Sequence, residues 1–255
     1  MRRSVSIAVL GLAACAADSE APAVPQVESG TLLLQCSLDG AQTVQSPAVG
    51  SGAGASAWTQ PPDHFVQSLD GLGLLLDADG QWLRFPANDP DAALPNIDLA
   101  HGTLSFWLRP AFPVLDGQQR NLFAALDEQG RGLRIAKAGR DDDNALMVEL
   151  IDTAGEQHVT TIAADSLPWL LLAWERVRVG WDTSGDTEQN VRVWVDDREL
   201  PYAEASAGPV VLPRLTVDTD LYWGAWAIED SNAVRGTFDN LEIWAGIVPP
   251  STDES

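Results

Sequence analysis

Cysteine is almost absent from this chain, which has only two in 255 residues, Cys15 and Cys36. A disulfide framework and a cysteine-rich metal site are therefore both excluded. Cys36 lies in an apolar run of strand character, where a free thiol is typical of a buried core residue. The fold must then depend on a hydrophobic core, and the apolar content of 45% is ordinary for a globular protein.

Basic residues are also scarce, with 15 Lys and Arg against 37 Asp and Glu, so that the formal net charge is −22. Such a charge repels the phosphates of nucleic acids and of anionic lipids. We therefore expect no nucleic-acid partner. An acidic surface favours solubility and cation binding, although most of these carboxylates need do no more than face solvent.

Helical periodicity is missing too, since no segment longer than about ten residues repeats its apolar residues with a helical period. The chain instead contains short alternating or apolar runs that are separated by Gly, Pro and Asp turn signals. This pattern predicts an all-β sandwich or jelly roll. The predicted strands are 32–38, 72–76, 82–85, 102–109, 122–126, 133–136, 146–151, 158–162, 174–181, 191–195, 210–217, 221–226 and 238–244.

The clearest pair of strands lies at 174–197, where two alternating runs flank a polar turn at 182–190. A period of two with β-branched residues predicts a half-buried antiparallel hairpin. Its apolar side comprises Val177, Val179, Trp181, Val191, Val193 and Val195. The opposite side carries Arg and Trp.

The apolar run at 5–14 follows two arginines and is too short to span a bilayer as a helix. With Cys15 directly after it, the segment resembles a bacterial lipoprotein signal; an ordinary signal peptide is the alternative. The resemblance implies that 1–14 is removed, that Cys15 receives the lipid anchor, and that Ala16 favours the outer membrane. We therefore expect the protein in the bacterial cell envelope, at the outer membrane or the cell surface.

The Ala-, Pro- and Glu-rich residues 15–30 predict an extended tether, and 249–255 predict a disordered tail. A single folded domain is expected at 31–248. The membrane would then be contacted through the N-terminal lipid only.

The ordered strand sequences of this domain resemble one family. LDG at 38–40 is followed by GLGLLLDADGQWLRFP at 71–86, GTLSFWLRP at 102–110, WERVRVGWD at 174–182, VRVWVDDREL at 191–200 and GTFDNLEIW at 236–244. Together they are similar to the laminin G-like, concanavalin A-like jelly-roll domains. The resemblance implies a two-sheet antiparallel jelly-roll sandwich with one concave sheet, and a role in binding carbohydrate or protein.

Catalytic relatives of this fold are glycoside hydrolases and polysaccharide lyases. Retaining hydrolysis needs two carboxyls about 5 Å apart, and hydrolases of this fold carry them on one strand at a spacing that the sequence lacks. Glu149 and Asp152 lie three residues apart, on opposite faces of a continuing strand. The three histidines, His64, His101 and His158, are scattered. We therefore predict that the domain is not catalytic.

The polar side of the central hairpin is the candidate binding site. Side chains predicted to face outward are Trp107, Arg109, Arg176, Arg178, Arg192 and Trp194. Indole rings stack on sugar rings, and guanidinium groups bind carboxylate or sulfate. By resemblance these strands belong to the concave sheet, which would suit an acidic or neutral polysaccharide. The alternative is that these arginines pair with the surplus of Asp and Glu.

Many relatives hold a structural calcium ion between the last strand and groups near the first. The resemblance implies Asp239 as a ligand, with Asp39 as its partner. Calcium prefers six to eight oxygen ligands, which are common in any acidic chain. The alternative is that Asp239 accepts hydrogen bonds from backbone amides.

Three functions follow from these observations. The first is a lipid-anchored surface module that binds a polysaccharide or another glycan. The second is an adhesion or scaffold domain that binds another envelope protein. The third is a divergent glycoside hydrolase or lyase.

Overall fold

The computed structural model describes residues 28–251, except 51, 53, 57–63, 89–93, 227–231 and 233. The predicted signal segment, the predicted lipidation site at Cys15 and most of the predicted tether lie outside the described residues. Within that part of the chain, no helix has the length and apolar character that crossing a bilayer requires.

Fifteen strands form within the described residues. They are β1 (Leu32–Cys36), β2 (Ala55–Ser56), β3 (Phe65–Gln67), β4 (Leu72–Leu76), β5 (Leu83–Pro86), β6 (His101–Pro110), β7 (Arg120–Leu126), β8 (Gly132–Lys137), β9 (Leu146–Ile151), β10 (Gln157–Ile162), β11 (Glu175–Asp182), β12 (Val191–Val195), β13 (Arg198–Glu199), β14 (Asp220–Trp223) and β15 (Gly236–Ala245). The helical elements are one short helix, α1 (Ala41–Gln45), and 3-10 turns at Arg140–Asp142 and Ala164–Ser166.

These strands build two antiparallel sheets that pack as a sandwich, so the predicted all-β class is confirmed. One sheet has eight strands in the order β13-β12-β11-β6-β15-β4-β3, and β1 also pairs with β15. The other has seven strands in the order β10-β9-β8-β7-β14-β5-β2. The core lies between the two inner faces.

The central hairpin forms as β11 and β12, with Val177 opposite Val195. All six residues of its predicted apolar side are buried in the core. Trp181 is fully buried, and its Nε1–H donates to the Asp98 carbonyl at 3.1 Å. A side chain at Gly102 would place Cβ 2.3 Å from the Trp181 ring, so this position needs glycine for space.

The Cys36 thiol is buried, as predicted, and lies near the end of β1. Burial raises its pKa to about 11, so the thiol stays protonated at neutral pH. Its S–H donates to the Thr43 carbonyl of α1 at 3.3 Å. The residue therefore packs as a small core side chain.

The predicted strand at 210–217 is wrong, because this segment is irregular. Pro209 and Pro213 lack the amide hydrogen that a strand ladder needs, and each restricts the residue before it. Val210 still donates its N–H to the Thr183 carbonyl at 2.9 Å. The segment is therefore fixed to the sandwich without joining either sheet.

A fully buried ammonium group fastens one end of the seven-stranded sheet. Lys137 of β8 donates from Nζ to the Gln118 carbonyl at 2.9 Å and to Asn144 Oδ1 at 3.1 Å, and it pairs with Asp116. Arg120 binds the other oxygen of Asp116 at 2.7 Å. Burial alone would raise the pKa of Asp116, but hydrogen bonds from Lys137 and Arg120 hold it below its usual range. The network ties the loop before β7 to the turn after β8.

Replacing the ammonium should destabilise the domain. We expect Lys137→Met to lower the free energy of unfolding by about 3–5 kcal/mol, because Asp116 Oδ1, the Gln118 carbonyl and Asn144 lose the ammonium group and only Arg120 stays paired with the carboxylate. Urea unfolding at pH 7 measures this. The exposed Arg198 provides a matched control, since Arg198→Met should change stability by no more than about 0.5 kcal/mol. Equal effects of the two substitutions would contradict the assignment.

Candidate functional site

The six side chains predicted to face outward lie on the outer face of the eight-stranded sheet, away from the core. We name this surface the Arg–Trp face; it comprises Trp107, Arg109, Arg176, Arg178, Arg192 and Trp194. Strand pairing places Arg176 opposite Trp107, and Arg178 opposite Trp194. The structure therefore brings these residues together on one surface.

Residues 246–248, which follow β15, cover one end of the Arg–Trp face, over Arg178 and Trp194. The Val248 N–H donates to Thr103 Oγ1 at 2.8 Å. Ile247 packs over Gly180, where an added Cβ would lie 3.3 Å from Ile247 Cγ2. A segment bound in this way occupies part of the surface where a sugar chain was expected to lie, and it leaves Trp107, Arg109, Arg176 and Arg192 partly exposed.

Two of the six residues are consequently buried, with Trp194 3% exposed and Arg178 8% exposed. The Arg178 Nη1–H donates to the Val248 carbonyl at 3.4 Å. The other arginines also have partners. Their contacts are Arg192 Nε to Glu199 Oε1 at 3.0 Å, Arg109 Nε to the Leu172 carbonyl at 2.9 Å, and Arg176 Nη2 to Glu242 Oε2 at 3.9 Å. Arg192 and Arg176 thus pair with Glu, as the alternative expected, whereas Arg109 and Arg178 donate to backbone carbonyls.

A groove of about 590 Å³ opens on the outer face of the other sheet. We name it the Arg134 groove. The polar and aromatic side chains that line it include Asp127, Arg134, Gln157, Asp220, Tyr222 and Trp226. A second groove of about 930 Å³ runs along 210–215, but its described lining contains no Trp, Tyr or Phe.

The pairing of β9, β8, β7 and β14 sets the positions of Arg134 and Tyr222 in the Arg134 groove. Arg134 of β8 lies opposite Glu149 of β9 on one side and Ala124 of β7 on the other, and Ala124 lies opposite Tyr222 of β14. Glu149 is 3% exposed and forms an ion pair with Arg134. Ala124 is fully buried between the Arg134 and Tyr222 side chains that line the groove.

Trp226 lines the groove beside Arg134. Gly224 has a positive φ of 78°, which ends β14 after Trp223 and turns the chain. The Arg134 guanidinium lies over the Trp226 ring, 4.4 Å from its centroid. This stacking fixes both side chains and is a cation–π contact of good geometry.

Tyr222 also lines the groove. Its ring packs edge-on against Trp82, with 5.9 Å between centroids. Burial raises the pKa of the Tyr222 hydroxyl, so this group stays neutral and can both donate and accept hydrogen bonds. Arg84 donates to Asp220 at 2.7 Å beside it, which fixes that carboxylate at the groove wall.

Carboxylates dominate the rim. Burial would raise the pKa of Asp127, but hydrogen bonds from the side chain and backbone of Arg131 and from the Gln129 N–H lower it overall. Asp127 is therefore an ionised acceptor. Glu128 and Asp218 are exposed and also line the groove.

Sequence reasoning missed the Arg134 groove. The alternation in LRIAK already points Arg134 away from the apolar side of β8, and LYW does the same for Tyr222. These two outward side chains come to line one groove only because β7 lies between β8 and β14. That strand order is a long-range property that neither segment carries.

The proposed calcium ligands lie at a junction in the eight-stranded sheet. β15 pairs with β4 through residue 238 and with β1 from residue 241, and a bulge at Asn240 (φ 47°) separates the two ladders. Asp239 sits at this junction with no exposure. It accepts hydrogen bonds from the Ser68 hydroxyl and, at 2.8 Å, from the Asn240 N–H.

The chemistry of this junction suits a cation. Burial, and then the nearby Asp39 and Asp70 charges, raise the pKa of Asp239 to about 6. No Lys or Arg forms an ion pair with Asp239 in the part of the chain that the structure describes. Asp39 is held nearby, since its Oδ1 accepts the Leu72 N–H at 3.0 Å. Carboxylate and hydroxyl oxygens are ligands that calcium prefers.

A tighter group of possible metal ligands lies elsewhere, in the turn between β9 and β10. Ligand atoms of Asp152, Glu156 and His158 all lie within 4.8 Å of one another. Asp152 Oδ1, however, accepts the N–H groups of Ala154 at 2.8 Å and Glu156 at 2.9 Å. These bonds account for Asp152 as a turn residue.

Comparison with known proteins supports the fold. No protein-family model and no curated protein sequence matches this chain. Domain 4 of AbnA, a GH43 extracellular arabinanase from Geobacillus stearothermophilus solved with arabinotriose, is 16% identical, with a TM-score of 0.51 over 86% of this chain and 94% of that domain. The binding domain of botulinum neurotoxin DC, solved with SialylT, is 10% identical, with a TM-score of 0.60 over 85% of this chain.

The binding domain of botulinum neurotoxin serotype D is also similar, at 11% identity and a TM-score of 0.58. The chain spans about half the length of these neurotoxin domains, 48% and 49% respectively. At such identities the similarity shows a shared β-sandwich fold.

Proposed function

We propose that this domain is a non-catalytic carbohydrate-binding module and that the Arg134 groove is its binding site. One observation carries the proposal: Tyr222 and Trp226 line a groove that remains open, whereas residues 246–248 cover the Arg178 and Trp194 end of the Arg–Trp face. Small-ligand sites are usually concave and mostly apolar, with a few polar groups that orient the ligand.

The groove offers the two contacts that sugars need. Aromatic rings such as Tyr222 and Trp226 present apolar surface to the C–H face of a sugar ring. Asp220 is an acceptor for hydroxyl groups, and Gln157 both donates and accepts. The similarity of fold to an arabinanase domain solved with arabinotriose supports a glycan as the ligand.

The same side chains argue against hydrolysis. A glycosidase needs one protonated carboxyl and a second carboxylate placed across the glycosidic bond. Asp127 has a lowered pKa and is bound by Arg131, while Asp220 and Glu149 are bound by Arg84 and Arg134. Each of these three carboxylates is thus already used in an ion pair.

Binding should depend on the groove tryptophan. Titration of the folded domain with neutral polysaccharides, beginning with linear arabinan, should give a hit that Trp226→Ala weakens at least about tenfold, which corresponds to about 1.4 kcal/mol. Isothermal titration calorimetry measures the affinity.

Trp107→Ala is the matched control, because Trp107 is a half-buried tryptophan on the opposite sheet. It should leave the affinity unchanged. Loss of binding in Trp107→Ala alone would move the site to the Arg–Trp face. Inertness of the native domain towards every polysaccharide would contradict the glycan proposal and favour a protein partner, for which the exposed leucines at 170–172 are the available surface.

We further propose that Asp239, with Asp39, binds a structural calcium ion at the junction of β1, β4 and β15. The support is a buried carboxylate that, among the described residues, no basic side chain pairs with. Bound calcium would supply the missing positive charge and fasten the first strand to the last.

Calcium should then stabilise the fold. At about 100 times its dissociation constant the ion adds about 2.7 kcal/mol, which for a domain of this size raises Tm by roughly 5–10 °C. Differential scanning calorimetry in calcium and in EGTA measures the difference. Asp239→Asn keeps the shape of the side chain and should abolish the calcium effect, whereas Asp186→Asn in the exposed 182–190 turn should preserve it. An identical Tm of the native protein in both buffers would refute the site.

The lipid anchor at Cys15 also stays a proposal, supported by the resemblance of residues 1–15 to a lipoprotein signal. In a bacterial host, Cys15→Ser should move the protein from the membrane fraction to the soluble fraction. Equal membrane association of both proteins would contradict anchoring through this residue.

A further inference from the structure

We infer that the Arg134 groove selects uncharged glycans and rejects acidic ones. The inference rests on the proposed function and deepens it by naming the class of ligand. It follows from the charges that surround the groove and from the contacts that occupy its cations.

The groove carries an excess of negative charge. Two of its carboxylates have arginine partners, in the pairs Asp127–Arg131 and Asp220–Arg84, and its lining Arg134 is paired with the buried Glu149. Glu128 and Asp218 are exposed at the rim, and neither forms an ion pair within the described residues. An acidic sugar in the groove would therefore meet two uncompensated carboxylates.

The charge of Arg134 is already balanced by a buried carboxylate, so this residue adds no net positive charge to the groove. Its Nε–H donates to Glu149, which is almost fully buried, and one face of its guanidinium lies on Trp226. Releasing Glu149 would leave a buried carboxylate without a partner, which is strongly unfavourable. A ligand carboxylate would therefore have to share this cation with Glu149.

The second cation at the groove is engaged in the same way. Arg84 Nη1 donates to Asp220 at 2.7 Å, and its guanidinium lies 5.2 Å from the centroid of the Trp82 ring. Arg131 on the rim uses Nε and Nη2 for Asp127 and Nη1 for the Thr153 carbonyl. The described arginines around the groove are thus all held by protein oxygens.

Hydroxyl groups of a ligand are attracted by the same carboxylates that repel an anion. Carboxylates have several acceptor positions each, and an ion pair with one arginine leaves others open. A neutral sugar can donate hydroxyl hydrogens to Asp220, Glu128 and Asp218 while its ring packs on Tyr222. The groove is therefore chemically matched to a ligand with many donors and no negative charge.

Matched pairs of polymers test this selectivity. We expect linear arabinan to bind at least about tenfold more tightly than carboxymethylated arabinan at low ionic strength, and dextran and dextran sulfate to differ in the same direction if dextran binds. Raising the ionic strength from about 0.01 M to about 0.15 M should strengthen binding of the carboxymethylated polymer, because salt screens repulsion.

Charge-neutral variants separate the groove from the overall charge of −22. Glu128→Gln with Asp218→Asn should raise the ratio of acidic to neutral affinity at least about fivefold, since it removes the local repulsion. Asp186→Asn with Glu188→Gln makes the same change in net charge in the exposed turn at 182–190, and it should leave the ratio unchanged.

The outcomes distinguish the inference from the proposed function. Equal or tighter binding of the carboxymethylated polymer, lost in Trp226→Ala, would overturn the selectivity and keep the groove as the site. An equal response of the ratio to both double variants would overturn it as well, because the overall charge would then explain the preference. Absence of binding by every polymer would overturn the proposed function itself.

Discussion

The burial of one face of each sheet against the other is the constraint on which the rest of the structure depends. Side chains alternate along a strand, so every residue that enters the core sends its neighbours to an outer face. Val177 and Val179 in the core require Arg176 and Arg178 outside. The two outer faces differ in how far the chain itself covers them. Residues 246–248 cover one end of the first, whereas the second keeps an open groove that Arg134 and Tyr222 line. Function is expected on the face that the fold has left available.

The local consequences of this constraint could be predicted from the sequence. The alternation at 174–181 and 191–195 correctly indicated a hairpin, because burial of Val and Trp on one side is encoded within each strand. The segment at 210–217 failed for a local reason that the sequence also contains: Pro209 and Pro213 cannot join a ladder, however apolar their neighbours are. Patterns of hydrophobicity indicate which residues are buried, and proline decides whether they can form a strand.

The candidate site could not be predicted in the same way, because it is assembled by strand order. Arg134, Tyr222 and Arg84 come from three strands that are far apart in sequence, and they share one row only because β7, β14 and β5 lie side by side. The covering of Trp194 depends on contacts of the C-terminal segment with β6 and β11, which no pattern in β12 announces. The Asp39 and Asp239 junction was reached through resemblance to a family, since the two residues are 200 positions apart.

The position of β15 also has a consequence for how the protein is made. This last strand is central, with β6 on one side and β4 and β1 on the other. During synthesis from the N-terminus, the strands that flank it are complete long before the strand that joins them exists. Their unpaired edges stay open until about residue 245 has emerged, and such edges readily pair with other chains. A nascent chain of this kind needs protection until its final strand arrives, and a product lacking that strand would lose the middle of its larger sheet.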